Sequence, residues 1–300
     1  MDQNSAKTYC GRFAPSPTGP LHLGSIVTAV GSYLQAKSKN GKWLVRIEDL
    51  DPPREVKGAS DIILYSLDAL GLYWDGPVFY QSKQIDAYLD ALEKLKRQDV
   101  LFPCNCTRKT IEVALANSPV KIYPGSCRNN RFSEQLETLA IRVRVDHQVI
   151  EFTDTIQGSF KQQLNKDVGD FVIRRADGLI AYQLAVVIDD AQQNISEIIR
   201  GADLFDNTPR QIFLQQLLSL PSINYGHLPL VVDANGIKIS KQAQAPAVDV
   251  AKPVACVHTA LNFLGQNPPQ ELLNEPLNTL WQWAITNWNI KKVPQQQLKK

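Results

Sequence analysis

The segment Pro15-Ser-Pro-Thr-Gly-Pro-Leu-His22-Leu-Gly24-Ser25 constrains the fold more than any other part of this chain. A short apolar stretch at residues 9–14 precedes it, and apolar residues at helical spacing (Ile26, Val30, Tyr33, Leu34) follow it up to Asn40-Gly41. A strand that breaks at a Pro/Gly loop and re-enters as a helix leaves backbone N–H groups and the positive end of a helix dipole exposed. Gly19 and Gly24 let an anion approach closely, Ser25 can cap the helix, and His22 can add a donor, so the loop suits phosphate. Residues 42–47 read as a second strand, and residues 58–70 and 84–97 as amphipathic helices. The strand–helix–strand rhythm predicts a parallel sheet with crossover helices.

The rhythm breaks near Phe102, where Pro103, Pro119, Pro124 and Gly125 surround three of the five cysteines, Cys104, Cys106 and Cys127. Cysteines bunched in this way fit metal ligation in a reducing compartment better than a disulfide framework. Tyr123 supplies a candidate fourth ligand, with His147 in reserve. Short strands follow at residues 141–145, 150–153 and 171–174, then a turn at Ala176-Asp177-Gly178 and a compact apolar run at 182–188. Further on, 195–199 and 228–232 read as strands around a helix at 209–218, and the remainder from Val248 reads as helical with Trp281, Trp283 and Trp288. The predicted class is α/β, a Rossmann-like open parallel sheet carrying an inserted zinc-binding subdomain and a helical C-terminal region. The expected divisions are 1–101 and 181–245 for the two halves of the catalytic domain, 102–180 for the insertion, and 246–300 for the helices.

Thirty-two basic and 30 acidic residues leave a formal charge of +2, so no global basic field points to a polyanionic partner. No apolar run reaches the roughly 18 residues a membrane helix needs, and Met1 to Thr8 is polar, so the expectation is a cytoplasmic protein with no membrane partner, acting as a monomer.

The stretch Arg12-Phe-Ala-Pro-Ser-Pro-Thr-Gly-Pro-Leu-His-Leu-Gly resembles the opening of glutamyl- and glutaminyl-tRNA synthetases over thirteen consecutive residues. Lys238-Ile-Ser240-Lys241-Gln242 resembles their Lys-Met-Ser-Lys-Ser loop. Two departures stand out: Ser25 replaces the second histidine of His-Ile-Gly-His, and Gln242 the final serine. The resemblance implies that Gly19, His22, Gly24 and Ser25 hold ATP and that Lys238 and Lys241 stabilise phosphoryl charge, with Mg²⁺ assisting. It also implies an amino-acid pocket: Arg12 and Arg200 for carboxylates, Glu48 for the ammonium, Tyr182 for contact with the substrate, and Ala14 and Ser16 as loop contacts. Two guanidinium forks and one carboxylate suit L-glutamate, and they would leave a glutamine amide imperfectly paired. A zinc set of Cys104, Cys106, Tyr123 and Cys127 is likewise implied by a bacterial glutamate-activating paralogue.

About 58 residues follow the lysine motif, too few for the family's long anticodon-reading helical region. The expected activity is that of the short branch, which forms glutamyl adenylate and attaches glutamate to the queuosine base in the anticodon of tRNA(Asp). Two alternatives stay open at this stage. One is a truncated synthetase charging the acceptor end of tRNA(Glu); the other is a non-catalytic regulatory protein that binds glutamate or an adenylate.

Overall fold

The structure, a computed structural model, describes residues 8–116, 122–132, 139–231 and 249–295. Strands β1 (Cys10–Phe13), β2 (Lys42–Ile47) and β3 (Phe79–Tyr80) pair in parallel in the order β1-β2-β3, with helices α1 (Leu23–Lys37) and α2 (Ala59–Ala69) crossing between them. Helix α3 (Ile85–Arg97) leads to β4 (Leu101–Cys104). A short helix α4 (Arg108–Ala114) follows in a stretch whose sequence reads as irregular. Its signal is the cap and not an apolar stripe: the Thr110 N–H donates to Thr107 Oγ1 at 3.1 Å.

Strands β5 (Ala140–Val143) and β8 (Phe171–Arg174) complete an antiparallel sheet in the order β4-β5-β8. Between them lie the hairpin β6 (Val149–Asp154) and β7 (Gly158–Gln163) and one turn of helix, α5 (Leu164–Asp167). Helix α6 (Tyr182–Gln192) then returns the chain to β9 (Glu197–Gly201), α7 (Thr208–Leu217) and β10 (Asn224–Leu228). Strand β10 lies between β9 and β6, parallel to both. The segment expected as one insertion therefore contributes strands to two sheets.

The strand expected at 228–232 lies earlier in the chain, with Leu228 as its last residue. The apolar residues that suggested it follow the strand, while the strand itself carries polar residues, among them the fully buried His227. Likewise, the strand read at 195–199 begins at Glu197. The parallel sheet β1-β2-β3 and the mixed sheet β7-β6-β10-β9 meet at β1 and β9, where the Ser196 N–H donates to the Cys10 carbonyl and the Cys10 N–H to Ser196 Oγ, both at 2.9 Å.

Helices α8 (Pro253–Phe263) and α9 (Leu277–Asn287) bury Val257, Leu261, Leu280 and Trp281 in the same core as Ile26, Val30 and Leu34 of α1. Two contacts lock that face. The Trp281 Nε1–H donates to the Leu70 carbonyl at 2.9 Å. The adjoining Gly71, at φ +71°, leaves no room for a Cβ, which would sit 2.8 Å from that indole nitrogen. On β2, buried Trp43 stacks on Phe13 and donates to Ser32 Oγ of α1 at 3.0 Å. Burying one such aromatic contributes roughly 1.5–3 kcal/mol, and the packing fixes where β1, β2 and α1 end. Among the described residues no helix is long and apolar enough to cross a membrane.

Candidate active site

A cleft of about 300 Å³ opens at the carboxyl ends of β1, β2, β9 and β10, where open parallel sheets place their ligands. Arg12, Ala14, Ser16, His22, Gly24, Ser25, Glu48, Tyr182 and Arg200 all line it. Gly19 does not line it, although its neighbour Thr18 does; its φ of +130° belongs to the turn that carries the loop into α1. Lys238 and Lys241 lie outside the described residues.

The cap of α1 differs from the sequence expectation. His22 is the N-cap, and its Nδ1 accepts from the Ser25 N–H at 3.2 Å, while Ser25 Oγ lies 3.2 Å from His22 Nε2. The helix starts two residues before Ser25, at Leu23, which makes Ser25 a first-turn donor in place of the cap. The imidazole thus sits at the positive end of the helix, beside the backbone donors that suit an anion.

One wall of the cleft is a buried charge cluster. Arg12 donates to Asp190 at 3.1 and 3.4 Å. Arg46 Nη1 lies 2.8 Å from both Asp190 and Gln193. Its Nε and Nη2 stand without hydrogen bonds at 3.8 Å from Asp189 and 3.6 Å from Glu48. Asp189 in turn accepts from Gln81 at 2.6 Å and from Tyr88 at 2.7 Å.

These environments push the acids apart. Burial raises Asp190, but Arg12 and Arg46 more than reverse it and hold that carboxyl below the usual range. Burial keeps Asp189 above the usual range despite Arg46. Glu48, half-buried at the cleft and desolvated there, and only partly compensated by Arg46 and Arg12, is pushed up to about 7. A cation arriving beside it would restore the carboxylate.

The opposite wall carries Arg200. Its Nε donates to His227 Nε2 at 3.0 Å, Nη2 to Thr208 Oγ1 at 2.8 Å, and Nη1 reaches Tyr182 Oη at 3.5 Å. His227 Nδ1 lies 2.6 Å from Asp154 Oδ2. Burial lowers His227 to about 4, with the Asp154 hydrogen bond opposing and Arg200 reinforcing the drop.

Sequence reading missed Arg46, Asp154, Asp189, Asp190 and His227. A faint signal existed in Asp189-Asp190, two acids that close an apolar helical run and therefore need buried cations.

The cysteine cluster forms as expected. The sulfurs of Cys104, Cys106 and Cys127 lie within 4.8 Å of one another, and Tyr123 Oη is 3.4 Å from Cys104 Sγ and 3.6 Å from Cys106 Sγ. Arg142 donates to Cys104 Sγ at 3.3 Å and lies over the Tyr123 ring. Tetrahedral zinc–thiolate bonds of about 2.3 Å would set the sulfurs roughly 3.8 Å apart, so the donor set fits such an ion. His147 pairs with Asn165 at 3.0 Å.

A parallel sheet whose first strand runs through a phosphate-suited loop into a helix, with two buried arginines and an acid in one cleft, describes a class I tRNA synthetase catalytic domain. The comparisons agree: residues 10–254 match the family of tRNA synthetases class I (E and Q), catalytic domain, and the chain belongs to that family. It is 50% identical over 293 residues to the glutamyl-Q tRNA(Asp) synthetase of Dechloromonas aromatica, covering 97% of both chains. It is 46% identical to the protein of that name from Pseudomonas aeruginosa, covering 96% of both. The glutamate tRNA ligase of Elizabethkingia meningosepticum shares the fold with a TM-score of 0.78 at 24% identity; the match covers 97% of this chain and 66% of that longer one.

Proposed function

We propose that the chain activates L-glutamate with ATP to glutamyl adenylate and transfers the glutamyl group to the queuosine base in the anticodon of tRNA(Asp), as a cytoplasmic monomer. The observation that carries this reading is that Arg12, Arg200 and Glu48, far apart in sequence, line one cleft together with His22 at the head of α1. Arg12 and Arg200 take the carboxylates, Glu48 takes the ammonium, and Tyr182, Ala14 and Ser16 shape the wall between them. ATP lies against Gly19, His22, Gly24 and Ser25. Attack of the α-carboxylate on the α-phosphorus expels diphosphate, and Lys238 and Lys241 stabilise the charge that builds on the phosphoryl oxygens. Mg²⁺ offsets the charge of the triphosphate. A hydroxyl of the acceptor then displaces AMP. Cys104, Cys106, Tyr123 and Cys127 would hold a structural zinc that ties β4 to the loop before β5.

Near-full coverage of relatives named for this reaction supports the choice of acceptor. Glutamate-dependent ATP–diphosphate exchange without tRNA tests the first step. Labelling of tRNA(Asp) by radioactive glutamate tests the second. The label should vanish with tRNA from a strain unable to make queuosine, and its persistence, or labelling of tRNA(Glu), would reject the acceptor. Lys241→Ala should reduce adenylate formation far more than glutamate affinity, and equal losses would contradict a transition-state role.

A further inference from the structure

The two arginines of the cleft are backed in different ways. Arg12 donates to the carboxylate of Asp190, which balances its charge inside the protein. Arg200 donates to neutral acceptors: His227 Nε2, Thr208 Oγ1, the Leu204 carbonyl at 3.4 Å and Tyr182 Oη. A guanidinium has donors and no acceptor, so His227 Nε2 must carry no proton, and the ring hydrogen sits on Nδ1 and donates to Asp154.

Asp154 is itself fixed, because its Oδ1 accepts the backbone N–H groups of Ile156 at 3.0 Å, Gln157 at 2.8 Å and His227 at 3.1 Å. Neighbouring strands hold the chain of contacts together. Asp154 ends β6, His227 lies in β10, and the β9 register sets His227 opposite Arg200. Asp154, His227, Arg200 and Thr208 are all buried.

We propose that Asp154 and His227 are positioning residues that present Arg200 with no anion in direct contact, the Asp154 carboxylate lying one imidazole away, so that this arginine selects a carboxylate over the matching neutral amide. An acid in place of His227 would cancel the charge as Asp190 does for Arg12. A protonated imidazole would turn an N–H toward Arg200 Nε and push the guanidinium out of place. The neutral ring does neither, and burial keeps it neutral at ordinary pH. The selected ligand then supplies the anion in direct contact, and an amide leaves a desolvated guanidinium imperfectly paired.

This inference rests on the glutamate reading, and exchange assays with glutamate and with glutamine on the full chain separate the two. If the wild-type protein shows no glutamate-dependent exchange, the functional reading fails and this assignment fails with it. If it does exchange, His227→Leu should raise the KM for glutamate by roughly 10- to 100-fold with little change in kcat, and shrink the glutamate-over-glutamine preference at least as much. His227→Gln, whose Oε1 can accept from Arg200 Nε, should recover most of that preference. Thr208→Val, close in shape and lacking one acceptor, should lower the preference by roughly 3- to 10-fold even if His227→Leu does not fold. A preference unchanged in folded His227→Leu or in Thr208→Val, or a loss confined to kcat, overturns the assignment while leaving the functional reading intact.

Discussion

The cleft and the cysteine cluster are both polar constructions held inside the protein, yet they are supported in opposite ways. The cleft sits between large apolar cores, one built on α1, β1, β2, α8 and α9 and the other on α3, α6 and α7. Its arginines are placed by strands and backed by buried partners, so the geometry exists before any ligand arrives. Among the described residues, the cysteine cluster has a buried apolar group of Phe102, Cys104 and Cys127, flanked by Cys106 and Tyr123. Burial on that scale contributes a few kcal/mol, and the proposed zinc would add to it. The contrast teaches that substrate selection in this protein is a property of the sheets, to which the segment between β4 and β8 lends β6 and Asp154, whereas the cysteine cluster itself lines no part of the cleft.

The sharpest way to break that contrast is to remove a cleft arginine. Arg200→Ala should lower kcat/KM for glutamate in diphosphate exchange by roughly a thousandfold, about 4 kcal/mol, because it deletes a desolvated charge and orphans His227 and Thr208. A loss below about tenfold would mean the sheet does not select the substrate. Removing a cysteine ligand should do less to catalysis and more to stability. Cys127→Ser is expected to purify with less than about half an equivalent of zinc and to melt roughly 5 °C lower. Its diphosphate exchange should stay within about tenfold of the parent protein. If exchange collapses along with the metal, the insertion is part of the active site and the two regions are one device.

How much of this the sequence shows follows the same division. The strand at 42–47 and the strand at 171–174 have the bounds that the sequence predicts, and the nine cleft residues are those that the phosphate-suited loop and the family resemblance point to. The cysteine cluster was equally legible, since its side chains lie within a short stretch. What was not legible is long-range pairing. Arg12 and Asp190 are 178 positions apart, and nothing near either residue announces the other. β10 lies earlier than its apolar residues suggest for a related reason: Asn224-Tyr-Gly-His-Leu is a poor apolar pattern, yet Tyr225 to Leu228 are buried and His227 accepts from Arg200. A polar residue buried for a partner's sake looks, in sequence, like a surface residue. The resting arrangement of His22 and Ser25 was hidden too, because either side chain can cap a helix and only geometry decides between them.

The smallest expected effect sharpens the description of the cleft by titrating it. Glu48 faces Arg46 at 3.6 Å, with Arg12, Asp189 and Asp190 behind, and burial raises it from 4.5 to about 7. The folded protein therefore holds a proton on Glu48 that the unfolded chain has already released above pH 4.5. Its contribution to the stability of the free protein is complete below about pH 4.5 and is lost as pH rises through about 7. Binding runs the other way, because the ammonium of glutamate needs the carboxylate. Glutamate affinity should fall by up to tenfold per unit as pH drops below about 7, and the melting-temperature rise given by saturating glutamate should grow between pH 5.5 and 8. His227, lowered to about 4, stays neutral over that range, so the wall that carries Arg200 adds nothing to the trend. Glu48→Gln should flatten the profile. A ligand-induced shift already independent of pH in the parent protein would show that Glu48 is ionised before glutamate arrives, and the acid wall would then be as fully prepared for its ligand as the wall that carries Arg200.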